Sequence, residues 1–82
     1  MFKKPKELSV GQVWEDEPFL LHSYKKQARI YAISWIPGRG GYIVAYSVRS
    51  SDGRQWNEEN EISTFHSKYS KYVGMFYELE ED

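Results

Sequence analysis

Tyr24, Lys25, Lys26, Arg29, Tyr31 and Trp35 precede a glycine-rich turn, and Tyr42, Tyr46, Arg49, Arg54 and Trp56 follow it. Cations interleaved with aromatics suit a single-stranded nucleic acid, because bases stack on flat rings while Lys and Arg track the phosphates. An exposed aromatic patch or an open sheet edge would equally dock a protein. With Arg39 at the turn, the candidate contact residues are Tyr24, Lys25, Lys26, Arg29, Arg39, Tyr42, Arg49 and Arg54.

Other chemistry finds little support. Nucleophilic catalysis needs an activated Ser, Cys or Thr beside a base, and the two histidines, His22 and His66, lie far apart in no recognised motif. No catalytic residue is assigned, and the chain reads as a non-enzyme that needs no cofactor. A metal site would want clustered His, Cys or carboxylates at defined spacing. Glu15-Asp16-Glu17 and Glu58-Glu59-Asn60-Glu61 are consecutive, so their side chains diverge in a strand or a helix, and no metal ligand is assigned. Gly38-Arg39-Gly40-Gly41 has the glycines of a phosphate cradle. It lacks the Lys-Ser/Thr ending and the following helix, which favours a plain hairpin tip.

Two limbs of one hairpin, Gln27 to Arg49, must position these residues, since nearly every second residue there is large and apolar or aromatic. A Gly38–Gly41 loop would pair Ile36 with Ile43, Trp35 with Val44, Ile33 with Tyr46 and Tyr31 with Val48. That register puts Tyr31, Ile33, Trp35, Val44, Tyr46 and Val48 on one bulky face, expected to be the core. Ile30, Ala32, Ser34, Ile36, Ile43, Ala45, Ser47 and Arg49 form the other. Ser50–Arg54 turns the chain again. A one-residue bulge at Gly53 would place Trp56 opposite Val48 and is favoured because it buries more, whereas a plain Asp52-Gly53 turn would place Trp56 opposite Arg49.

From Asn57 the spacing changes, and Ile62, Phe65, Tyr69 and Tyr72 recur at three, four and three residues. This predicts an amphipathic helix near residues 58–72, capped by Asn57 or Asn60, with Lys68 and Lys71 in its last turns and Gly74 as its stop. Met75–Leu79 would form a last strand. Toward the N-terminus, Leu8, Val10, Val13 and Trp14 begin the fold at a Gly11 bend, and Phe19–Tyr24 is either a short strand or an ordered loop. Trp14, Trp35 and Trp56 are expected in the core, and Tyr24, Tyr42, Tyr69 and Tyr72 at the surface.

The 82 residues make one domain, with 1–7 a basic lead-in and 80–82 an acidic tail. A single core of this size yields only a few kcal/mol. Without cysteine, packing of 17% aromatic residues must hold it. Residues 1–55 hold nine Lys or Arg against five Asp or Glu, and residues 56–82 two against seven. That acidic C-terminal third weighs against strong nucleic-acid binding. No apolar run approaches the roughly 20 residues of a membrane span, and the basic N-terminus has no apolar stretch behind it, so a soluble, unexported chain is expected.

Leu8-Ser9-Val10-Gly11-Gln12-Val13-Trp14, then a meander, then Glu61-Ile62-Ser63-Thr64-Phe65 leading to Tyr69, resembles small SH3-like or Tudor-like barrels. It is also similar to short, functionally uncharacterised proteins of bacteriophages and prophages that join such a barrel to a terminal helix. The resemblance spans about residues 8–79 and carries no binding residue across. It implies an accessory protein in a bacterial or phage-infected cytoplasm. The expected fold is mostly β (α+β): a small SH3-like antiparallel barrel or strongly bent sheet of about five strands with one helix. A monomer or weak dimer that binds a host or phage protein is the favoured reading, with single-stranded DNA or RNA as the alternative and no membrane partner.

Overall fold

Alternation of apolar residues does build a sheet, but the turn that closes its central hairpin begins earlier than the glycines suggest. The computed structural model describes residues 7–16, 25–39 and 41–75, with the Arg39 side chain outside that description. Its elements are β1 (Gln12–Glu15), β2 (Lys26–Ile36), a 3-10 turn (Pro37–Arg39), β3 (Gly41–Ser50), β4 (Gln55–Glu61), α1 (Ile62–Lys68) and β5 (Lys71–Met75). The strands form one sheet in the order β4-β3-β2-β1-β5, every pair antiparallel. The expected mostly β fold of about five antiparallel strands with one helix is what they form, and among the described residues the sheet does not close into a barrel.

Pro37 cannot donate to a ladder, and its fixed φ suits a 3-10 turn. It therefore ends β2 and frees Gly41 to pair with Ile36, which sets Trp35 against Tyr42 and Ile33 against Val44. The expected register is thus corrected by two residues at the tip. A second correction follows at Tyr31, where the register shifts between Ile30 and Ala32, so that Ile30 faces Tyr46 and Ala28 faces Val48. One extra residue exchanges the faces of a strand. Ala28 and Ile30 consequently join Val44, Tyr46 and Val48 in the core, Ile33 packs against it, and Tyr31 is 46% exposed. The β3 half of the expected core is right, and the β2 half is right only at Ile33. On the other face, Ile43 and Ala45 are buried as well.

Gly53 has φ +96°, and its N–H donates to the Ser50 carbonyl at 2.9 Å. This is the favoured bulge, and Trp56 stands opposite Val48 as expected. The helix is shorter than the spacing predicts. Residues 55–61 pair with β3 from Gln55 to Glu61, because a continuous cross-strand ladder outweighs the good helix propensity of Glu, a preference worth only tenths of a kcal/mol per residue that tertiary pairing overrides. Glu61 is the N-cap, with no side-chain cap bond, so neither Asn57 nor Asn60 has that role. Lys71 and Tyr72 belong to β5, as does Gly74, which pairs with Val13 instead of stopping a helix. The last strand starts at Lys71, not Met75, and residues 76–79 lie outside the described residues.

The stripe Ile62, Phe65, Tyr69 and Tyr72 still faces inward, although only its first half is helical. Phe65 sits over the sheet, its ring 4.9 Å from Tyr46 and 6.2 Å from Trp14, and Tyr69 lies 5.5 Å from Tyr46. Tyr69 is 2% exposed, which corrects its expected surface position. Gly11 lets β1 start against this core. Its φ is +99°, its N–H donates to the Ile30 carbonyl at 2.8 Å, and a Cβ there would meet Met75 Cε at 3.0 Å.

Urea unfolding should separate the two kinds of aromatic. Phe65→Ala is expected to cost about 3–5 kcal/mol, enough to unfold much of so small a domain. Tyr31→Ala is expected to cost about 0.5 kcal/mol or less.

Candidate functional site

The Trp35–Tyr42 pair is the last before the turn pair Ile36–Gly41. Strand alternation puts both rings on the core face, one step beyond Ile33 and Val44. Trp35 is nevertheless 55% exposed and Tyr42 51%, because β4 has already turned into α1 at this level: its last pair is Ile43–Glu61. Trp35 therefore leaves the expected core. The two rings meet edge to face at 5.1 Å and 66°. Burying such rings is worth about 1.5–3 kcal/mol each, so a firmly paired hairpin here holds unused apolar surface in water.

The other candidate residues do not gather around this pair. Lys25 Nζ lies 3.6 Å from Glu15 Oε1, and Glu15 also accepts from Gln27 Nε2 at 2.7 Å. Lys26 contributes its backbone N–H to Asp16 Oδ1 at 2.9 Å, and alternation turns its side chain to the core face. Arg29 and Arg49 are exposed on the outer face, opposite Ser47 and Gln27. With the Gln55 amide oriented to satisfy both groups, its oxygen accepts from Arg49 Nε at 3.0 Å. Arg54 turns back on its own loop, Nε 2.7 Å from Asp52 Oδ2 and guanidinium 5.9 Å from the Trp56 ring centre. Tyr24 and the Arg39 side chain lie outside the described residues. The eight-residue set thus divides: Lys25, Arg29 and Arg49 share the outer face, Lys26 and Tyr42 lie at opposite ends of the core face, and Arg54 stays on its own loop.

Sequence reasoning missed the polar cluster beneath α1. Tyr46 Oη donates to Glu58 Oε1 at 2.9 Å and accepts from Asn60 Nδ2 at 2.7 Å, while Trp56 Nε1 donates to Glu58 Oε2 at 2.7 Å. Lys68 Nζ stands 3.6 Å from Glu58 Oε1. The available signal was the alternation Trp56, Glu58, Asn60, which a helical reading of Asn57–Glu61 conceals. Burial, reinforced by the Glu58 carboxylate, pushes the Tyr46 phenol up to about 12, against the opposing Asn60 hydrogen bond. Burial alone would raise the Glu58 carboxyl, but donation from Trp56 and Tyr46 and the Lys68 charge together hold it below its ordinary value. A neutral phenol bound to a fixed carboxylate braces β3 to β4, and Lys68 ties the same carboxylate to α1.

No group of three or more His, Asp or Glu side chains among the described residues could hold a metal ion. No helix among them is long and apolar enough to cross a membrane. No protein-family model, curated protein or solved structure matches the chain.

The brace makes stability depend on pH at both ends. Glu58 is depressed in the fold, so its contribution is complete above the ordinary value of 4.5 and is lost as pH falls below it. Tyr46 is raised, so its contribution is complete below 10.0 and is lost as pH climbs through about 12. Urea midpoints across pH should fall at both limits. Glu58→Gln should flatten the acid limb at the expense of lower stability at neutral pH.

Proposed function

We propose that this chain is a non-enzymatic protein-interaction module, a small regulatory or adaptor unit that docks its partner at the aromatic end of the β2–β3 hairpin. The observation that carries this reading is the exposed Trp35–Tyr42 pair on an ordered ladder. Large rings that enter a partner's pocket supply much of the energy of protein interfaces. A rigid hairpin presents them at little ordering cost. The sheet order β4-β3-β2-β1-β5, with α1 between β4 and β5, supports the likeness to small SH3-like barrels. That likeness also supplies the proposed phage or prophage origin, bacterial cytoplasmic setting and monomeric or weakly dimeric state.

Single-stranded nucleic acid is the second reading, favoured by the shared outer face of Arg29 and Arg49. Its field is diluted there by Glu15, Glu59 and Glu61 on the same face. Arg49 is bonded to Gln55, and Lys25 is paired with Glu15.

Oligonucleotide titration at low salt and capture from bacterial lysate test the two together. The proposal expects a captured protein that is lost with Trp35→Ala/Tyr42→Ala and kept with Arg29→Ala/Arg49→Ala, the former costing under about 2 kcal/mol of stability. Micromolar oligonucleotide binding that falls steeply with salt and weakens with Arg29→Ala/Arg49→Ala would replace it with the nucleic-acid reading.

A further inference from the structure

Among the described residues β4 is the terminal strand on its side of the sheet. The direction of its backbone groups follows from the turn before it. Ser50 N–H donates to the Arg54 carbonyl at 2.9 Å, closing the Gly53 turn. Hydrogen-bonded and non-bonded pairs alternate along an antiparallel ladder. Trp56, Glu58 and Asn60 therefore turn their N–H and C=O groups toward β3, and Gln55, Asn57, Glu59 and Glu61 turn theirs outward. The side chains of those four are also the exposed ones of β4.

Open edges invite strand addition, and proteins usually blunt them with lysine, proline, bulges or inward charges. The seven residues Gln55–Glu61 contain no lysine or proline, and their pairing with β3 runs without a register shift. The inward charge, Glu58, is absorbed by Tyr46, Trp56 and Lys68. What remains at the edge is acidic: Glu59 and Glu61 have no ion-pair partner among the described residues. They lie two residues apart on one face, the spacing at which a second strand repeats its side chains. A second copy paired parallel and in register would set Glu59 and Glu61 directly beside the same carboxylates, and any pairing of two such edges brings their negative charges together, which is destabilising. A cationic strand meets no such penalty.

We infer that β4 is a docking edge that takes an extended, Lys- or Arg-bearing segment of a partner protein as a sixth strand. The inference rests on the protein-binding reading and goes beyond it, adding a docking edge apart from the Trp35–Tyr42 pair and naming the chemistry that edge takes. Backbone bonds to Asn57 and Glu59 supply the pairing, and cations on the outer face beside Glu59 and Glu61 supply the selection.

The test is a titration of the isotopically labelled full chain with a short capped peptide alternating lysine and valine, and with its glutamate–valine counterpart. The lysine peptide should shift the amides of residues 55–61 and slow exchange at Asn57 and Glu59. Glu59→Gln/Glu61→Gln should weaken binding about tenfold. Glu59→Pro removes an outward donor that β3 does not use, as edge strands tolerate, and should abolish binding with the circular dichroism unchanged. Equal binding of the glutamate peptide overturns the inference, as does a lysine peptide that shifts no residue. Shifts confined to Trp35 and Tyr42 overturn the edge site while leaving the protein-binding reading in place. Oligonucleotide binding in place of either peptide would overturn both.

Discussion

Tyr46 stands where the sheet, the helix and the edge strand meet, its ring against Phe65 and Tyr69 and its hydroxyl held between Glu58 and Asn60. A buried phenol without partners would cost about 1–3 kcal/mol. That is a large share of the roughly 5–15 kcal/mol that holds a domain together. Satisfying it requires β4 to be extended, because only strand alternation brings Glu58 and Asn60 to the same face as Trp56. It also requires α1 to begin just beyond Asn60, so that Phe65 covers the ring and Lys68 reaches Glu58. The short helix, the acidic edge and the uncovered hairpin end all follow from that placement.

Face assignments on β3 were legible in the sequence because Val44, Tyr46 and Val48 alternate without interruption. The Gly53 bulge was legible too, since it alone returned Trp56 to Val48. On β2 the alternation breaks at one residue, and a bulge leaves no compositional mark of its own. The signal that existed was Ile30 and Ile33, apolar and three apart, a spacing that two faces of an unbroken strand cannot reconcile. For β4 the obstacle was physical competition. Glu58, Glu59 and Glu61 suit the first turn of a helix as well as an exposed strand, and the deciding term was the distant ladder with β3.

The candidate site was legible only in part, for a related reason. Periodicity gives the face on which Trp35 lies but not how far along the strand its cover extends, and cover is set by where α1 begins. Tyr69 and Trp35 consequently exchange the expected positions, one buried and one displayed. The basic residues form a group in the sequence, but β2 and β3 send neighbouring side chains to opposite faces, and Lys25 and Arg54 are drawn to Glu15 and Asp52. Charge clustering along a chain survives folding only where strand parity permits it.

One aromatic set, Trp14, Tyr46, Phe65 and Tyr69, is spent on the core, while the Trp35–Tyr42 pair stays exposed. The three indole N–H groups report this directly. Trp14 Nε1 donates to Gln12 and Trp56 Nε1 to Glu58, whereas Trp35 lies half in solvent. Solvent exchange of the assigned indole resonances of the unaltered protein should show Trp35 exchanging fast, with Trp14 and Trp56 protected. A Trp35 indole protected to the same degree as Trp14 would place it in the core and contradict the account.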